Sequence, residues 1–391
     1  MRIILFKGQS QYDVLRHCVD EISIGFKELG MEPIVLDGLS SDFFNDLDAE
    51  IKKGVNFFFC FNAIMSDLKI GSDSIYDLLG VPYITAFGDH PHLHIDRLSN
   101  KINRYIPLLN GQSHLDFTKN IFSKDQFYLK STFAAASIKT QKTDNLNDFK
   151  KRSNKILFAG SFRKPSKKTW EDLNNKFLKE FISDVKDNRK RLETIEETIT
   201  KTMNSKNLEL NEKLYRIVFS ITVQQIDFYE KNISRLKMIE ALTDNGYQVD
   251  LYGKSEWDNE ISKNKNITRY NPIEVNELNK LYFKYKLVAN DNNNFIDGAH
   301  ERLFNALGSG AQCLSAESTY YNEIFQKEKS KPIFYDRDNI AASLKNIKYF
   351  FDNIDNSYNN TIKLQKLIQK EHTWQNRAEE ILSIYHASTL G

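Results

Sequence analysis

The sequence predicts an α/β protein made of two Rossmann-like, doubly wound lobes, with a helical insertion in the second. Three observations predict it. Short apolar runs of strand length alternate with segments of helical periodicity, the pattern of parallel strands joined by crossover helices. The alternation opens twice in the same way, an apolar strand running into a glycine turn: residues 2–7 before Gly8-Gln-Ser10, and residues 155–159 before Gly160-Ser-Phe-Arg163. Between residues 170 and 245 the strand signal stops and apolar positions keep helical spacing.

In the first lobe, residues 14–29 carry apolar side chains at helical spacing and end at Gly30, a helix stop. Residues 33–36 read as a second short strand, 55–61 and 81–87 as strands buried on both faces, and 121–130 and 132–136 as further short elements. The polar stretch 139–154 reads as a linker, so the first lobe is placed at 1–150 and the second at 151–371. Within the second, 170–245 is the helical insertion. Strands follow at 248–252, 267–270, 287–290, 312–315 and 332–335, and helices at 275–284, 300–307, 340–351, 358–369 and 373–385.

Composition bounds the function. The chain has 391 residues, 40% of them apolar and 27% charged, with 27 Phe and 18 Tyr to build large cores. A formal charge of +2 offers no general attraction to nucleic acid, which is not expected as a partner. Three scattered cysteines, Cys18, Cys60 and Cys313, suit buried thiols in a cytoplasmic protein better than a disulfide framework. No apolar run reaches membrane-spanning length, which leaves peripheral membrane association open.

The most informative segment is Phe295-Ile-Asp-Gly-Ala-His-Glu-Arg302 with Asn305-Ala-Leu-Gly-Ser-Gly310, a glycine-punctuated loop opening a short helix. Helix N-termini carry unpaired amides and partial positive charge, which suits a phosphate, and Arg302 would add a charge-assisted contact. An ordinary helix cap before a buried strand accounts for the spacing equally well.

Together with Ile156-Leu-Phe-Ala-Gly-Ser161, Leu251-Tyr-Gly253, Phe334-Tyr-Asp336 and His372-Thr-Trp-Gln-Asn-Arg377, this segment resembles glycosyltransferases of the two-lobed GT-B architecture, in particular the spore-maturation-type (CgeB-like) group. Cys60-Phe-Asn62 and Asp89-His-Pro-His-Leu-His94 add weaker likenesses in the first lobe. The resemblance implies transfer of a sugar from a nucleotide-sugar donor to a polysaccharide, glycolipid or protein acceptor, with no cofactor beyond the donor itself. It implies that Gly160, Ser161, Tyr252, Gly253, Asp297, Gly298, His300, Glu301 and Asn305 bind the donor. Arg302 would stabilise the departing diphosphate, and Asp89 or His90 would act on the acceptor side. The last helix, 372–391, would cross back to the first lobe. Many GT-B enzymes carry two acidic residues eight positions apart at this helix; Asn305 stands where the second is expected, eight after Asp297. No Asp-x-Asp pair is assigned to a strand end, so no metal is expected. A nucleotide-sugar epimerase and a non-catalytic nucleotide-sugar-binding scaffold on the same fold are the rival readings.

Asp89-His-Pro-His-Leu-His94 has alternating histidines that an extended backbone would place on one face. An acceptor-side catalytic loop, a zinc site and a structural loop are the three readings. Trp257 and Trp374 read as packing residues.

Overall fold

The computed structural model describes every residue except 141, 163–166, 255–260, 262, 293, 294, 338 and 391. Arg163 and Trp257 therefore lie outside the described residues. The chain divides into two compact units, Met1–Ile138 with Glu371–Gly391, and Lys139–Lys370. The second unit thus begins at Lys139, where the sequence reading places its boundary at 150. The reason lies in the presumed linker. Asn145 caps a short helix, Leu146–Lys151, whose Phe149 is buried in the core of the second unit.

The first unit holds a six-stranded parallel sheet: β1 (Arg2–Lys7), β2 (Glu32–Asp37), β3 (Phe57–Phe61), β4 (Tyr83–Ala86), β5 (Tyr105–Leu109) and β6 (Ser131–Thr132), in the order β2-β1-β3-β4-β5-β6. Every residue of β3, Phe-Phe-Phe-Cys-Phe, is buried, because helices cover both faces. Alternation along β3 sends Phe58 and Cys60 into one core and Phe57, Phe59 and Phe61 into the other. Helix α1 (Val14–Glu28) lies on the second face through Cys18, Val19, Ile22 and Phe26. The C-terminal helix, Trp374–Thr389, packs on the same face through Trp374, Ala378 and Ile381.

Strand β5 escapes the sequence reading although all its residues are buried. Pro107 at its centre removes a ladder donor and breaks the strand signal, yet it pairs in register with Thr85 of β4. The neighbouring elements differ from expectation too. Helix Gln112–Ile121 ends where a short element was expected to begin, and Ser131–Thr132 is the only strand after it in this unit among the described residues.

The second unit repeats the plan with β7 (Ser153–Ala159), β8 (Val249–Tyr252), β9 (Ile267–Tyr270), β10 (Tyr285–Asn290), β11 (Gln312–Ala316) and β12 (Ile333–Tyr335), ordered β9-β8-β7-β10-β11-β12. All neighbours are parallel. The order reverses beside β7, so the carboxyl ends of β7 and β10 flank a switch point, where doubly wound sheets hold ligands. The insertion folds as α2 (Lys176–Asn188), α3 (Ile195–Ser205) and α4 (Glu212–Asp244). Thr194 and Glu197 close a capping box on α3, and Asn211 caps α4. The last turns of α4 lay Met238, Ile239 and Leu242 into the core with Phe158 and Leu251. The insertion is therefore continuous with the sheet it serves.

Two outcomes test this packing. A Cβ added at Gly25 of α1 would stand 2.9 Å from the Gln375 Cα and 3.0 Å from the Trp374 carbonyl oxygen. Backbone cannot yield as a side chain can, so Gly25→Ala is expected to lower the stability of the first unit by about 1–3 kcal/mol in urea unfolding. Burial, and then the charge of Arg377, push the imidazole of His372 down to about 4. The unfolded chain then binds this proton more readily. The contribution of His372 is whole above about pH 6.5 and is lost as pH falls towards the folded value. His372→Asn is expected to flatten the stability profile of the first unit between those limits, measured as urea midpoints at neutral and acidic pH.

Candidate functional site

Buried polar residues gather where β7 and β10 end. Strand β10 runs out into Asn290-Asp291-Asn292, all three buried. Asp291 accepts a hydrogen bond from Nε of Arg235 on α4 and another, at 3.3 Å, from Nη1 of Arg302. The same Arg302 nitrogen donates to Oδ1 of Asn290 at 3.0 Å. Nη1 of Arg235 donates to the backbone carbonyl of Ser161, just past β7. One carboxylate thus joins the insertion, the end of β7 and helix α5 (Glu301–Gly308). Burial pushes the Asp291 carboxyl up, but Arg235 and Arg302 outweigh it and hold the group below the usual carboxylate range. A carboxylate this enclosed is ionised only because both guanidinium groups face it.

The loop into α5 is held as firmly. Asn292 takes a left-handed backbone, φ 43°. Its Oδ1 accepts from the His300 amide at 3.1 Å and from Oη of Tyr321 at 3.0 Å. His300 caps α5, its Nδ1 accepting from the Arg302 amide at 3.2 Å. The Glu301 carboxylate lies 2.7 Å from the same ring nitrogen.

This geometry corrects one expectation. The amides of His300 and Arg302 are bonded to the protein's own side chains and are not waiting for a phosphate. Arg302 is 8% exposed and its guanidinium is turned inward to Asn290 and Asp291, over the ring of Phe158 at 5.9 Å. It orders the strand end. Asn305 is also buried in α5, 3% exposed.

The remaining donor candidates stand around this cluster. Gly160 follows β7, its amide donating to the Tyr252 carbonyl at 2.9 Å. A Cβ there would lie 2.9 Å from the ring of Phe158, which accounts for glycine without a ligand. Ser161 is half-buried and receives Arg235 on its carbonyl oxygen. Tyr252 stacks on Tyr270, centroids 4.5 Å apart, and Gly253 is buried beside it. Asp297 and His300 are half-buried in the loop before α5, and Gly298 is buried.

Asp89 and His90 belong to the first unit. Asp89 follows β4 half-exposed, and its Oδ2 accepts from Nδ2 of Asn62 at 2.8 Å. Asn62 and Ala63, after β3, both have φ of 53°, a left-handed conformation uncommon for residues with a side chain. His90 is buried, its Nδ1 accepting from the His92 amide at 3.1 Å and its ring packed on His114 and Phe117. The alternating-face expectation fails because Pro91–His94 is a 3-10 turn, with proline at its start. Among the described residues no group of three or more His, Cys, Asp or Glu could hold a metal ion.

Two features escape the sequence reading. The Asp291–Arg235 pair spans 56 positions, so only the polar run after a buried strand hinted at it. Asp336-Arg337-Asp338 is an Asp-x-Asp directly after β12, contrary to the expectation that no such pair ends a strand. Asp336 pairs with Arg191 at 3.2 Å, and Asp338 lies outside the described residues.

A family model described as glycosyl transferase-like matches residues 235–383, beginning at Arg235 itself. No curated protein matches the sequence. An α-glucosyltransferase solved with UDP and a 13-mer DNA is 10% identical, with a TM-score of 0.60 over 99% of each chain. The Anabaena protein Alr3699/HepE, solved with UDP-glucose, is 9% identical with a TM-score of 0.55, over 99% of this chain and 100% of that one. A glycosyltransferase from Rickettsia africae ESF-5 is 11% identical with a TM-score of 0.50, over 99% and 98%. At such identities the likeness defines the fold, the GT-B architecture of two Rossmann-like units. No described helix is long and apolar enough to cross a membrane.

Removing the Asp291 charge would strand two enclosed guanidinium groups. Asp291→Asn is expected to cost about 3–5 kcal/mol in the stability of the second unit, and Asp291→Asn with Arg302→Met distinctly less. Equal losses in denaturant midpoint would show that the pair does not act as a unit.

Proposed function

We propose that this protein is a glycosyltransferase that moves a sugar from a nucleotide-sugar donor, with the second unit as its donor lobe. The observation that carries this reading is the glycosyl transferase-like match, which spans the Asp291 cluster on a GT-B fold. Donor contacts are assigned to backbone and side chains at the switch point: Gly160, Ser161, Gly253, Asp297 and Gly298, with Tyr252 towards the base; Asn305, buried in α5, is not among them. Arg302 and Arg235 position that surface through Asp291 and place a net positive charge beneath it, which favours a departing diphosphate. Asp89, held by Asn62, is the acceptor-side residue; His90 supports the loop from inside. We assign transfer without a metal, to a saccharide, glycolipid or protein acceptor, in the cytoplasm and in the spore-maturation-type group.

Because the amides of His300 and Arg302 are already bonded, a nucleotide-sugar-binding protein without turnover is the second reading. One screen separates them. The intact chain is incubated with UDP-, GDP- and dTDP-sugars, with and without EDTA, and released nucleoside diphosphate is measured. Release from one donor, unchanged by the chelator, is expected. Saturable donor binding without release would establish the second reading, and loss of release on chelation would overturn the metal-free assignment.

A further inference from the structure

The second unit also contains a recess over the ends of β11 and β12, walled by the insertion and enclosing about 830 Å³ of space, solvent included. Among the described residues six cations line it: Lys186 from the end of α2, Arg189, Lys190 and Arg191 after it, Lys237 on α4, and Arg337 after β12. Three carboxylates among the described residues face them, Glu230, Glu317 and Asp336, so the described lining carries a formal excess of three positive charges.

The carboxylates are already committed. Glu230 takes Arg189, with Lys186 at 3.4 Å. Glu317 and Asp336 take Arg191. Lys190, Lys237 and Arg337 have no carboxylate within ion-pair distance among the described residues. Arg337 is half-buried there. Its Nη2 donates to the Asn292 carbonyl at 2.6 Å, and its Nε is buried with no hydrogen-bond partner among the described residues. Burial, and then the charge of Arg189, lower its proton affinity. Clustered, partly enclosed cations in excess over their carboxylates repel one another unless an anion joins them. Guanidinium forks and lysine ammonium groups are the donors that phosphate oxygens take.

We propose that this recess binds a phosphate group, with Arg337 at its floor and Lys190 and Lys237 at its mouth. It supplies the cations that α5 does not offer, and it stands on charge and hydrogen bonding whether or not sugar transfer occurs. The phosphate could come from a nucleotide diphosphate or from another phosphorylated molecule.

The test is calorimetric titration of inorganic pyrophosphate into the intact chain at low salt. Saturable binding is expected, weakened roughly tenfold or more by Lys190→Glu with Lys237→Glu. Both lysines are exposed, so melting without the anion should not fall. Arg337→Lys, which keeps the charge and loses the fork, should also weaken binding. Absence of saturable binding, or equal affinity in the charge-reversed variant, would overturn the site. Competition with UDP then names the source. Displacement of pyrophosphate assigns the phosphate to a nucleotide, and independent binding assigns it to another phosphorylated ligand; either result upholds the site. A negative turnover screen would leave these titrations unaffected.

Discussion

The second unit depends on one buried carboxylate. Asp291 directly follows β10, one of the two central strands, and faces two guanidinium groups, one from the insertion and one from α5. Burying such a charge is costly, and only the paired geometry makes it tolerable. That geometry brings together elements far apart in sequence: Ser161 after β7, Arg235 in α4 and Arg302 in α5. The insertion is thereby part of the switch point and not an appendage to it.

The same pairing decides what α5 does. A short helix behind a glycine loop looks, in sequence, like a cradle for phosphate. Here His300, Asn292 and Tyr321 have taken its first amides, and Arg302 has turned to Asp291. The helix therefore acts by holding the strand end in place. Among the described residues, positive charge without a carboxylate at ion-pair distance lies instead under the insertion, at Lys190, Lys237 and Arg337. An arginine near a glycine loop is a contact candidate only until its own carboxylate is located.

Much of the fold was legible because its signals are local. Buried strands such as Phe57–Phe61 are unbroken apolar runs, and α1 and α4 show their apolar faces at helical spacing. Strand Tyr105–Leu109 was hidden by Pro107, which a parallel pair tolerates. The helix Leu146–Lys151 was hidden by its polarity, since Phe149 alone anchors it. The site was less legible, because its partners are set by tertiary pairing. Nothing near Arg302 in sequence tells that Arg235 shares its carboxylate, and Pro91 turned a supposed extended histidine face into a tight coil with His90 inside.

We propose that the carboxyl ends of β7 and β10 receive a donor above an intact Asp291 pair. A crystal structure of the intact chain soaked with UDP-glucose tests it most directly. Density for the nucleotide is expected over Gly160, Ser161 and Gly253, with Arg235 and Arg302 still bonded to Asp291. Density elsewhere, or a diphosphate held by Arg302 with the pair broken, would contradict it.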